Sequence, residues 1–370
     1  MAGSSGVPGL ACPECGATYP GKADEPWRCD CGHPLEFDTT PRPEGPASDP
    51  GGLDRDRGLW AFEAFLPVER RVTLGEGFTP LVEAPEWAVT FKLDYLFPSG
   101  SFKDRGATTT LSRAAELGVD RVLEDSSGNA GAAIAQYAAR AGIEAEIYVP
   151  ADAKASKLRA IERAGADLVR VEGSREDVTA ACVKAVEAGA GWYASHAWNP
   201  AFLAGTATFA MELAAQRGWN APEAVVLPLG HGTLFLGAYR GFRALQEAGW
   251  IEETPRLLGA QAGGYAPFVD DDQSDGAGGT PANEAADGIH IREPAREGEI
   301  REAVEATDGN VVAIGEDESR GTLDRLHRRG LYVEPTCAVA PAALERFRKR
   351  GVLEDGEDVV VALSGSGLKG

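Results

Sequence analysis

From Trp60 onward, short apolar runs alternate with stretches of helical periodicity. The run 121–123 predicts a strand, 129–141 a helix and 145–149 a strand; 155–164 predicts a helix that stops at Gly165, before a strand over 167–171. The same alternation continues through 225–229, 234–248, 257–261, 311–314, 316–329, 339–350 and 359–363. Repeated strand, helix, strand units imply parallel sheets covered on both faces, because a parallel crossover must leave the sheet plane and return. The expected architecture is α/β in two parallel-sheet lobes, with ligands at the carboxyl ends of the strands, in a cleft between them.

Two stretches interrupt this pattern. Residues 39–58 are rich in Pro, Gly and Asp and read as a linker, which sets residues 1–38 apart as an appendage. Residues 270–288 are acidic and rich in Gly, Ala and Asp, and a solvated loop is expected there in preference to a calcium site. The folded remainder divides into a large lobe of 59–100 and 206–370 and a small lobe of 101–205.

Size and charge narrow the function class. A chain of 370 residues exceeds what one compact core normally supports. No stretch offers a long uncharged apolar helix, and the first ten residues lack the basic and apolar segments of a secretory signal, so a cytoplasmic location is expected. A formal charge of −21 argues against nucleic acid and against anionic membranes, both of which need basic patches. Arginine outnumbers lysine heavily and acidic residues recur on the predicted helix faces, which suggests adaptation to high salt, where screening tolerates a dense acidic surface. The expected partner is a small amino-acid substrate, and the expected assembly a homodimer.

The six cysteines fall into two groups. Cys182 and Cys337 stand alone, whereas Cys12-x-x-Cys15 and Cys29-x-Cys31 lie close together, each pair followed by a glycine that permits a tight knuckle. Four thiolates from two short turns can surround a tetrahedral metal ion, and zinc is the expected occupant, in a ribbon. The single spacer in the second pair departs from the usual two.

The chemistry is most concentrated in Ser101-Phe102-Lys103-Asp104-Arg105-Gly106 and, about one helix later, Ser126-Ser127-Gly128-Asn129-Ala130-Gly131. One lysine and one asparagine are then expected on successive strand-to-helix turns. A partly desolvated lysine amine can condense with a cofactor aldehyde and later move protons. An asparagine amide can donate to a ring oxygen, and the surrounding glycines let the backbone come close. Together with Gly75-Glu76-Gly77-Phe78-Thr79-Pro80-Leu81, Glu334-Pro335, Ser364-Gly365-Ser366-Gly367-Leu368-Lys369 and the Cys-x-x-Cys element, these phrases resemble the threonine synthase family of pyridoxal phosphate enzymes over nearly the whole chain.

The resemblance implies a fold type II, tryptophan synthase β-like enzyme with pyridoxal 5'-phosphate in the cleft and a small N-terminal zinc ribbon. It gives Lys103 the covalent attachment and the catalytic role, and Asn129 the ring oxygen. Gly230, His231, Gly232 and Thr233 receive the cofactor phosphate, and Ser364 the pyridine nitrogen. Ser126, Ser127 and Gly128 receive the substrate carboxylate, and Thr79 a substrate-side role. The implied reaction converts O-phospho-L-homoserine and water to L-threonine and phosphate. Phe202 and Ala207 depart from the pattern, standing where the family has an arginine and a lysine for the substrate phosphate, and His231 stands where it usually has asparagine. Two alternatives follow: a related β-eliminating or β-replacing enzyme, such as a threonine or serine dehydratase, a cysteine synthase or a cysteate synthase; or a non-catalytic protein whose ribbon recruits a partner.

Overall fold

The computed structural model describes residues 6–269 and 280–369, except 44, 46 and 48, and these fall into two compact units. The first comprises the described residues of 1–44, 54–76 and 103–205; the second those of 45–53, 77–102 and 206–369. No helix among the described residues is long and apolar enough to cross a membrane.

In the first unit, β1 (Leu10–Ala11) pairs antiparallel with β2 (Thr18–Tyr19) on one side and β3 (Glu36–Phe37) on the other. The larger sheet is parallel, in the order β8-β7-β6-β9: β6 is Arg121–Glu124, β7 Glu144–Pro150, β8 Asp167–Val171 and β9 Trp192–Tyr193. The helices are α1 (Lys103–Leu117), α2 (Asn129–Ala141), α3 (Ala155–Arg163), α4 (Arg175–Glu187) and the start of α5 (Pro200–Gln216). Leu111, Val122, Ile134, Tyr137 and Ile147 are fully buried in the core. The largely alanine face of α2 presents little side-chain bulk to α1. The helix ends at Gly142, whose left-handed conformation (φ 70°) lets its N–H close back on Ala138.

The N-terminal appendage is fastened to this unit. Arg113 on α1 has 1% of its side chain exposed and donates from Nη2 to Glu25 (2.6 Å) and to the Pro8 carbonyl (2.6 Å). Trp27 meets Tyr193 and Trp198 edge-on, with ring centroids 5.4 Å and 4.9 Å away. Residues 59–76 also pack here and not with the large lobe expected from the sequence. The fully buried Trp60 donates its indole N–H to Glu76 (3.1 Å), and Glu76 accepts from the Tyr137 hydroxyl (3.0 Å) and the Leu74 N–H (2.7 Å). The expected linker is shorter than 39–58, because Asp54 caps a helical segment, Arg55–Phe65, through the Asp56 N–H.

The second unit holds a six-stranded sheet in the order β12-β11-β10-β13-β5-β4. Its strands are β4 (Leu81–Ala84), β5 (Val89–Lys92), β10 (Ala224–Pro228), β11 (Arg256–Ala262), β12 (Asn310–Ile314) and β13 (Val359–Ala362), all parallel except the β4–β5 pair. The helices are α6 (Thr233–Glu247), α7 (Glu297–Ala306), α8 (Glu316–Arg328) and α9 (Val339–Lys349). Lys92, at the end of β5, is fully buried and ion-paired with the fully buried Glu212 of α5. Part of the expected acidic loop is core: Asn283 has no exposed surface and donates to the Ile314 carbonyl (3.1 Å) and the Ser319 hydroxyl (2.9 Å), while Ala286 is fully buried. Residues 270–279 lie outside the described residues.

Candidate active site

The first unit carries the lysine, the asparagine and the serine-glycine turn. Lys103 is the first residue of α1, and Asn129 the first of α2. Between the end of β6 and Asn129, the Gly128 N–H is held by the Ser126 hydroxyl (3.2 Å), and Gly128 caps α2 with no side-chain hydrogen bond. The turn folds so closely on the helix that a Cβ at Gly131 would lie 1.8 Å from the Ser126 carbonyl oxygen. Only glycine fits there. The result is a helix start uncapped by any side chain with Ser126 and Ser127 beside it, an arrangement suited to a carboxylate.

The second unit carries the glycine-rich loop and Ser364. The loop 229–232 joins β10 to α6, and its Gly232 caps the helix in a left-handed conformation (φ 78°), again without a side-chain cap bond. A Cβ at Gly232 would come 2.4 Å from Ile300 Cδ1. A helix start without a side-chain cap and with a glycine-lined approach is suited to an anion. Ser364 follows β13 and is 3% exposed; its N–H donates to Cys337 Sγ (3.2 Å). Its carbonyl accepts the N–H of Phe102 (3.0 Å), so the residue immediately before Lys103 in the chain is tied to this serine. Glu334 donates its N–H to the Gly365 carbonyl (3.0 Å), which sets the Glu334-Pro335 phrase beside the terminal serine-glycine run. The first unit thus offers an amine and an amide at helix starts, and the second a helix start without a side-chain cap and a buried hydroxyl.

Two residues singled out by sequence, Thr79 and Phe202, are buried. Thr79 is 4% exposed, and its hydroxyl donates to the buried Asp94 (2.6 Å) while its N–H donates to Glu212 (2.7 Å). Phe202 has no exposed surface and packs on α1 at Gly106, where a Cβ would come 2.3 Å from the ring. A cation in that place would be buried and would need a buried partner.

The four paired cysteines converge: Cys12, Cys15, Cys29 and Cys31 have their sulfur atoms within 4.8 Å of one another. Cys12 and Cys31 are 3.5 Å apart and Cys15 and Cys29 3.4 Å apart, close to the roughly 3.8 Å edge of a tetrahedron built on metal–sulfur bonds of about 2.3 Å. Tyr19 places its hydroxyl 3.3 Å from Cys29 Sγ, and this hydrogen bond is the leading cause that brings the thiol down to about 6. The cluster can hold a metal ion.

Sequence reading passed over a buried set behind the serine-glycine turn. Asp125 accepts from the Tyr193 hydroxyl (2.8 Å) and the Thr179 hydroxyl (2.5 Å). Glu124 and His196 form a buried pair, with Nδ1 2.7 Å from Oε1. Their partners lie 54 to 72 residues away in sequence, beyond the reach of any local motif.

A family profile described as pyridoxal-phosphate dependent enzyme matches residues 72–365. The chain is 31% identical to threonine synthase of Methanocaldococcus jannaschii, covering 97% of this chain and 92% of that protein. It is 32% identical to threonine synthase of Methanosarcina acetivorans, over 84% and 80% respectively. Among solved structures, maize serine racemase aligns with a TM-score of 0.68 at 21% identity, over 85% of this chain and 93% of the racemase. Serine racemase of Dictyostelium discoideum aligns with a TM-score of 0.64 at 24% identity, over 78% and 92%. These structural likenesses speak to the fold.

Proposed function

The chain belongs to the pyridoxal-phosphate dependent enzymes and, among them, to the threonine synthase family, and on that premise we propose that it converts O-phospho-L-homoserine and water to L-threonine and phosphate. It is a pyridoxal-phosphate-dependent lyase. The observation that carries the reading is the pairing of near full-length similarity to threonine synthases with Lys103 and Asn129 each opening a helix.

When bound, pyridoxal phosphate supplies an electron sink for the charge left on the substrate's α carbon. Lys103 would hold its aldehyde carbon, Asn129 the ring oxygen, the loop Gly230 to Thr233 its phosphate and Ser364 the ring nitrogen. Ser126, Ser127 and the N–H groups at the start of α2 would bind the substrate carboxylate and so orient the α C–H bond. Nζ of Lys103 takes the α proton and returns a proton to the carbon skeleton. A neutral serine at the ring nitrogen, unlike a carboxylate, does not hold a proton there, which favours elimination and replacement over transamination. Thr79, its hydroxyl held by Asp94, keeps the substrate-side role that the family resemblance implies.

The buried Phe202 favours a second reading, in which a related enzyme eliminates or replaces an uncharged β substituent. Purified protein given O-phosphohomoserine is expected to release phosphate and threonine in equal amounts. Formation of 2-oxobutyrate from threonine without phosphate release from phosphohomoserine would transfer the assignment to the second reading.

We further propose zinc as the ion of the four-cysteine cluster, with a structural role, and read the dense acidic surface as an adaptation to high salt in a cytoplasmic enzyme. Cys29→Ser is expected to reduce zinc from about one per chain to near zero and to lower the melting temperature by at least ~5 °C, read by elemental analysis and calorimetry. Full zinc retention in that variant would remove Cys29 from the ligand set.

A further inference from the structure

Glu124 closes β6, directly before the turn that leads to Asn129, and is fully buried. His196 follows β9 with 8% of its side chain exposed. Its Nδ1 lies 2.7 Å from Glu124 Oε1, and its backbone N–H reaches Oε2 at 3.3 Å, so one residue occupies both oxygens of one carboxyl. The imidazole meets Phe202 at 6.0 Å between centroids with planes at 67°, and the Phe202 ring lies against Gly106, one turn along α1 from Lys103. The contact chain Glu124, His196, Phe202, Gly106 therefore ends on the helical turn that carries the attachment lysine.

The charged groups acting on the pair are Asp125, Arg175 and Lys103. Burial first, then Asp125, raises the Glu124 carboxyl well above its ordinary range. Burial first, then Lys103, depresses His196 to about 3. Both directions run toward the uncharged form of each partner, and the 2.7 Å contact joins the two groups.

We propose that Glu124 and His196 form a positioning pair for Lys103: through Phe202 and Gly106 they fix the first turn of α1, and by adding no negative charge beside the amine they do not favour its ammonium form. An ionised Glu124 in the same place would do the reverse, holding the proton on the amine when it must bond or accept one. This inference rests on the reading of Lys103 as the attachment residue.

The test is the rate at which Lys103 is trace-labelled with acetic anhydride in full-length protein freed of cofactor, read by peptide mass spectrometry against Lys349, whose side chain is 72% exposed. The pH at which the visible band of the reloaded holoenzyme changes is a second readout. Glu124→Gln keeps an uncharged donor to Nδ1 and an acceptor for the His196 N–H, and is expected to label Lys103 within about twofold of the parent. His196→Ala is expected to slow labelling about tenfold at neutral pH and to shift the band's titration by about one pH unit. If His196→Ala does not fold, His196→Val, which removes both the Nδ1 acceptor and the ring edge on Phe202, is read instead with the same expectation. Labelling in Glu124→Gln slowed as much as in the histidine variant would overturn the proposal, because the pair would then act as an ion pair. So would a histidine variant that melts earlier while labelling normally. Borohydride trapping of the parent separates the two levels: no label on Lys103 there defeats the attachment reading, whereas a normal label with a slowed Glu124→Gln defeats only the pair.

Discussion

Lys103→Ala is expected to lower turnover by about 10⁴-fold or more, because one side chain both tethers the cofactor and moves the α proton. The fold should survive, since Lys103 occupies the first position of α1, where alanine is a good helix former. Borohydride reduction followed by peptide mapping reads the tether directly: the parent should carry the cofactor label on the peptide containing Lys103, and the variant should carry none. Turnover in the variant within tenfold of the parent would remove Lys103 from the mechanism. The loop 229–232 and Asn129 remain in the variant, so residual cofactor should be found noncovalently bound and removable by dialysis.

The largest stability effect is expected at Lys92. Its ammonium and the Glu212 carboxylate are both without solvent exposure, and Lys92 also donates to the Thr79 carbonyl (2.6 Å) and to Gln216 (2.8 Å). Lys92→Met leaves a buried carboxylate facing methylene groups, and removal of one partner of such a pair costs about 3–5 kcal/mol. Urea unfolding followed by fluorescence should register this as a large fall in midpoint. Pairing Lys92→Met with Glu212→Leu should recover much of the loss, since neither charge is then stranded. A single-variant loss under about 1 kcal/mol would mean that water reaches the pair.

Much of this arrangement is legible in the sequence, for reasons that differ from element to element. The helix over Asn129–Ala141 and the strand over Asp167–Val171 are readable to the residue, because a glycine or a turn bounds each apolar pattern. The helix α4 also advertises its start through Ser174 and Asp177, whose side chains cap each other's N–H, although its apolar pattern is weak. By contrast α5 is apolar nearly all round and buried, so it has no amphipathic stripe to read. That Lys103 and Asn129 open helices and that the loop 229–232 precedes α6 is legible because glycine and helix-start chemistry are local, a matter of φ angles and nearby N–H groups. The pairs Glu124–His196 and Lys92–Glu212 join residues 72 and 120 positions apart, and Asn283 reads as a loop residue without its partners at 314 and 319. Long-range polar satisfaction of this kind leaves no periodic trace.

The fastening of the N-terminal segment has a practical corollary. A chain shortened to begin at residue 39 would strip Glu25 and the Pro8 carbonyl from Arg113 and uncover the indole and phenol edges of Trp198 and Tyr193 that Trp27 shields. The cysteine-bearing segment is thus a brace and not a detachable handle. Recombinant versions that omit it should be recovered as aggregate, while a tag placed at the amino terminus ahead of it leaves the brace intact.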